Sequence, residues 1–188
     1  MKRLRTLFLL LALAACATSG GVITYTYTDS GYSPGEFAYA GGPGELWTVI
    51  MGNPFNAPQP AVDRAITDTM YEAHFGPPTR FTTTPGPNAR RVYRVVVMLN
   101  GPETNSMAAC GSVPAIQPAY RGGGVLLFAA FCRGDDALTF LRAAGDGFAG
   151  PDDPKFRTFI QEITIRLFPP QNADMHNQDH DHCPGSDC

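Results

Sequence analysis

The sequence predicts an α+β domain: an antiparallel sheet with two helices packed on one face, in the order β-β-α-β-β-β-α. Three observations lead there. Residues 91–99 and 125–132 are β-branched or apolar over nearly their whole length, as central strands covered on both sides are. Two other segments carry apolar residues at helical spacing. Clusters of Gly and Pro separate all of these, so the connections are turn-rich.

Taken in order, residues 35–40 and 45–51 flank Gly41-Gly42-Pro43-Gly44 and read as two strands around a glycine turn. Residues 60–75 form the first helix. Val62, Ile66, Met70 and Ala73 make its stripe, Pro60 suits its first turn, and Gly76-Pro77-Pro78 stops it. Thr82-Thr83-Thr84 reads as an edge strand able to accept a partner strand. The strand at 91–99 ends at Asn100-Gly101-Pro102, and an irregular loop runs from Glu103 to Gly124. Residues 125–132 turn through Arg133-Gly134-Asp135-Asp136 into a hairpin partner at 137–144. Asp153 caps the second helix and Pro154 begins it. Phe156, Phe159, Ile160, Ile163 and Leu167 form its buried stripe.

The N-terminus carries an address. Lys2, Arg3 and Arg5 precede an unbroken apolar run, residues 7–15, which ends in Leu13-Ala14-Ala15-Cys16. A basic start, a short apolar stretch and small residues at its end mark a secretory signal. The run is too short for a membrane-spanning helix, which takes about 20 residues. The stretch resembles the lipobox of bacterial lipoproteins. That resemblance implies cleavage before Cys16 and acylation of its thiol and new amine. The acyl chains make the bilayer itself a partner, since two or more give a stable anchor. Ala17 stands where Asp would imply inner-membrane retention, so the resemblance implies an outer-membrane protein facing the periplasm. The body of the chain is similar to small lipoproteins of Gram-negative envelopes. That resemblance implies a location in the envelope, not an activity. The anchor, the compact single domain and the lack of a catalytic set point to a non-enzymatic binding or structural module, with an envelope protein or peptidoglycan as partner.

The expected division is therefore a signal over residues 1–15, the lipidated Cys and a flexible tether over 16–30, one domain over 31–170, and a polar tail over 171–188. The small, polar Ala17-Thr18-Ser19-Gly20-Gly21 suits a tether. The full chain has 188 residues, 14 basic and 17 acidic, with a formal charge of −3. Loss of the signal removes three of the basic residues and makes the mature chain more acidic. That excludes the basic footprint nucleic acid requires, and also a second, electrostatic grip on anionic lipid. The basic residues Arg80, Arg90, Arg91 and Arg94 form the one cluster suited to an acidic partner or to peptidoglycan carboxylates.

With Cys16 acylated, four cysteines remain. An even number in an exported chain reads as disulfides with three possible pairings. The most economical is Cys110–Cys132 with Cys183–Cys188, the first stapling the long loop to a strand.

The tail holds the one concentration of metal-ligating side chains: His176, His180 and His182, with Asp residues, Cys183 and Cys188 nearby. Such side chains take zinc, copper or nickel. A disulfide would withdraw both thiols and leave histidines and carboxylates. The competing reading is a solvated polar end. No other cofactor is expected, and no catalytic set stands out. His74 closes the first helix, Ser112 lacks a Gly-x-Ser-x-Gly elbow, and Asp135 and Asp136 fit turn chemistry.

Overall fold

The computed structural model describes residues 20–102, 104–111 and 124–171. It is a mixed α+β fold with one six-stranded sheet and four helices. The elements are β1 (Gly21–Thr28), α1 (Pro34–Gly41), β2 (Glu45–Met51), α2 (Gln59–Ala73), β3 (Arg80–Thr82), β4 (Tyr93–Leu99), α3 (Ser106–Cys110), β5 (Val125–Arg133), β6 (Asp136–Gly145) and α4 (Pro154–Leu167). The strand order across the sheet is β1-β6-β5-β4-β2-β3.

The expected centre is present: β4, β5 and β6 are antiparallel neighbours in the middle of the sheet. Alternate residues of β4 serve different faces. Val95, Val97 and Leu99 join the main core, and Val96 and Met98 join a second cluster behind the sheet. Asn100 ends β4 with a left-handed φ of 54°, a conformation Asn tolerates better than most residues. Its side chain accepts from the Leu126 amide at 2.7 Å and donates to the Gly124 carbonyl at 3.1 Å.

Several expectations are corrected. The element order is not β-β-α-β-β-β-α. Residues 35–40, expected as a strand, lie in helix α1. Ser33 caps it by accepting from the Glu36 amide at 3.0 Å, and Pro34 sits in its first turn. Phe37, Ala40 and Gly41 then face inward. Gly41 has no room for a side chain, because a Cβ there would meet Thr79 at 2.3 Å.

The sheet is not purely antiparallel either. β2 runs parallel to both β3 and β4. A parallel pair needs a crossover of a dozen or more residues, and α2 supplies it. The edge strand foreseen around Thr82 is β3, displaced a little towards Arg80. The 16–30 tether is shortened, since β1 occupies its second half and pairs with β6. The loop after β4 contains α3.

Two helices on one face is too simple a description. Residues of α1, α2 and α4 all enter the main core, while Ala109 and Cys110 of α3 enter the cluster on the opposite face. Phe131 lies at the centre of the main core, fully buried. Its ring stacks on Tyr93 at 6.0 Å and meets Phe37, Phe168 and Tyr32 edge-on at 5.4–6.5 Å. Two buried ties close the end of the domain. Thr139 Oγ1 donates to the Leu167 carbonyl at 2.7 Å, and the Tyr32 hydroxyl donates to Pro169 at 2.8 Å. Burial pushes the Tyr32 phenol well above its ordinary pKa.

Replacing Phe131 with Ala empties the point where these rings converge. The expected loss is about 3–5 kcal/mol, read as a shift in the urea midpoint.

Candidate functional site

The expected Cys110–Cys132 disulfide is present, with a Cα–Cα distance of 5.6 Å and a sequence separation of 22. It fastens the end of α3 to β5 on the face opposite the large helices. Cys16, Ser112, His176, His180, His182, Cys183 and Cys188 lie outside the described residues. Among the described residues, no group of three or more His, Cys, Asp or Glu is arranged to hold a metal.

His74 is the C-cap of α2. Nδ1 lies 3.2 Å from the Met70 carbonyl and Nε2 lies 3.0 Å from that of Pro77. The ring also sits edge-on between Phe37 and Phe81. One nitrogen thus faces a carbonyl of the helix end and the other a carbonyl of the loop that follows it, which is a structural arrangement.

The Arg80, Arg90, Arg91 and Arg94 cluster is dispersed by its own bonds. Arg90 lies over the Tyr39 ring at 3.8 Å and donates to that residue's carbonyl. Arg91 donates to Pro85 at 3.0 Å. Arg94 donates to the carbonyls of Gly134 and Cys110, so it ties the hairpin turn to the disulfide-bearing helix.

The richest polar constellation lies at that end of the sheet. The β5–β6 hairpin has two central residues, Gly134 and Asp135, between the paired Arg133 and Asp136. Gly134 takes the first central position with φ 60°, where a two-residue turn of this kind requires glycine. The turn sends Arg133 back towards α1. There Glu36 Oε1 accepts from Arg133 Nη1 at 2.9 Å and from the Tyr93 hydroxyl at 2.6 Å. The Tyr93 phenol, aided by Arg133, holds the Glu36 carboxyl below its usual range. Burial, together with the carboxylate, raises the phenol. Helix α1, β4 and the hairpin are thereby joined through one carboxylate oxygen.

Beside this junction is an open cleft of about 330 Å³, lined by Tyr27, Asp29, Met107, Arg133, Asp135 and Asp136 among others. Asp29 is held by the Gly31 amide and the Tyr27 hydroxyl. Asp135 pairs with Arg94 only at 3.8 Å and is almost fully exposed, so that pair contributes little. The cleft is predominantly anionic with one guanidinium on its wall. Its walls offer charged and polar groups to a partner.

The sequence marks Arg133, Asp135 and Asp136 only as a turn, and Tyr93 only as part of the strand at 91–99. Glu36 was missed because its segment reads as a strand. The signal that finds it is Ser33-Pro34-Gly35-Glu36, a Ser followed three places on by Glu at a helix start.

No family model and no curated protein matches the chain. Among solved structures it is similar to the PelC dodecamer from Paraburkholderia phytofirmans. The identity is 10%, the TM-score is 0.41, and the match covers 80% of this chain and 96% of that one. A leucine-to-methionine variant of that dodecamer matches at 9% identity and a TM-score of 0.39, over 81% and 98% of the two chains. Both likenesses are distant.

Glu36→Gln removes the charge that both donors share. Arg133 is partly in water, so the expected loss at neutral pH is modest, about 1 kcal/mol. Because folding lowers the Glu36 pKa, its contribution is complete above the unfolded carboxylate range. It is lost as pH falls through the folded value. Urea denaturation between neutral and acidic pH should therefore show a smaller acid-dependent loss in Glu36→Gln than in the parent protein.

Proposed function

We propose that this protein is a lipid-anchored, periplasm-facing envelope lipoprotein acting as a non-enzymatic binding or structural module. The observation that carries the reading is Leu13-Ala14-Ala15-Cys16 directly after a short apolar run with a basic start. Two features support it. A buried disulfide within the domain suits an oxidising compartment such as the periplasm. The polar cleft at the hairpin end offers charged recognition groups. An envelope protein or a peptidoglycan amine is the partner whose chemistry fits that anionic cleft.

The test is the mass of the mature N-terminus in cells. Intact protein beginning at an acylated Cys16 is expected in the membrane fraction, and Cys16→Ser should leave the chain unacylated. A soluble mature protein with a free Cys16 thiol would overturn the anchor. Reduction of Cys110–Cys132 is a separate check on compartment. Protein isolated with thiols blocked at lysis should show this pair oxidised, and Cys110→Ala with Cys132→Ala should lower stability by about 3 kcal/mol.

A further inference from the structure

Gly20 already belongs to the folded domain. Its carbonyl accepts from the Asp146 amide at 2.9 Å, and a Cβ on it would meet Phe148 at 2.8 Å. Four residue steps separate it from Cys16. Fully extended chain spans at most about 3.5 Å per residue, so the two Cα atoms lie within about 14 Å of each other. Any anchor at Cys16 therefore holds the start of β1 against the surface of the bilayer, not at the end of a long leash.

β1 has an unusual surface for that position. Its sequence, Gly-Val-Ile-Thr-Tyr-Thr-Tyr-Thr, contains no charge. The register with β6 shifts between Ile23 and Tyr25. A bulge of this kind inverts the alternation of side chains. Val22 pairs with Ala144, Tyr25 with Arg142 and Tyr27 with Phe140, so all three β1 residues fall on the same face of the sheet. Without the shift, Val22 would point opposite to the two tyrosines. Val22 is 61% exposed and Tyr25 is 52% exposed, and Tyr27 is also at the surface. Behind them Tyr25 meets Phe140 at 6.1 Å, and Arg142 lies over Phe128 at 5.3 Å.

The charges are graded along the strand. One carboxylate, Asp146, lies beside the Gly21 end. Three, Asp29, Asp135 and Asp136, lie around the cleft at the Thr28 end. Apolar and aromatic side chains with a neighbouring arginine suit the headgroup region, and carboxylates avoid it.

We propose that the Val22–Tyr25 surface of β1 docks on the headgroup region of the bilayer that carries the Cys16 anchor, with the acidic cleft turned away from it. This rests on the anchor proposed above. The grip is apolar and interfacial, in keeping with the acidic charge of the mature chain. The domain sits on the membrane in a defined attitude, and its cleft opens towards the periplasmic space.

The test uses the full, lipidated chain in phosphatidylcholine vesicles with and without brominated acyl chains. Trp47, the sole tryptophan, is replaced by Phe. A reporter is then introduced as Tyr25→Trp, or as Tyr71→Trp for comparison. Tyr71 lines a cleft with Arg80 of β3, at the other edge of the sheet. Vesicle-bound protein is isolated by flotation. The expected result is that the reporter at position 25 loses about half its emission to bromine while the one at 71 is unaffected. Equal emission at both positions in floated protein, quenched or unquenched, overturns the docking and leaves the anchor standing. Protein that fails to float overturns the anchor and the docking with it. Val22→Trp reads the same surface should Tyr25→Trp fail to fold.

Discussion

Strands β4 and β5 are apolar on both faces, and everything else in the molecule answers that requirement. A strand with one wet face can stand at the border of a sheet. One with none must have neighbours on both sides and cover above and below. On one side, α1, α2 and α4 bring Phe37, Ile66, Phe159 and their neighbours onto Val95, Val97, Leu127 and Phe131. On the other, Val96, Met98, Phe128 and Ala130 also need cover, and α3 contributes Ala109 and Cys110 to it. A five-residue helix is too short to hold itself in place. The disulfide to Cys132 and the Arg94 bond to the Cys110 carbonyl hold it instead. The staple and the guanidinium thus follow from the composition of the two central strands.

The elements that proved legible carry their evidence within their own length. β2 matches its expected bounds, and β4, β5, β6, α2 and α4 agree with them to within about two residues, the ordinary uncertainty of an element's end. Asp153 and Pro154 announce α4, and Asp153 indeed accepts from the Ala149 and Lys155 amides, which hold its carboxyl below the usual range. α1 was illegible because Phe37-Ala38-Tyr39-Ala40 alternates like a strand, whereas the capping residues before it decide the matter. The direction of β2 could not be read locally at all. Nothing within Glu45–Met51 says which way a neighbour runs. That depends on where α2 returns the chain.

β1 failed for a different reason. Val22-Ile23-Thr24-Tyr25-Thr26-Tyr27-Thr28 has the β-branched and aromatic character of a strand. It stands within residues 16–30, where a flexible tether is the expectation. The polar junction was half legible: Arg133 and its turn are plain from Arg-Gly-Asp-Asp, but Glu36 and Tyr93 reach it from sites 57 positions apart. Sequence spacing does not reveal a meeting of that kind.

The place of β1 in the sheet also sets the order in which the molecule can be completed. Its one described neighbour is β6, and Thr24 bonds to a carbonyl 118 positions later, at Arg142. The earliest of the described strands is thus among the last of them to find its place. Until then it is a neutral, β-prone ribbon with both edges open, the kind of segment that readily pairs with the wrong chain. Tethering its start would confine that search to one small volume and shorten the exposure.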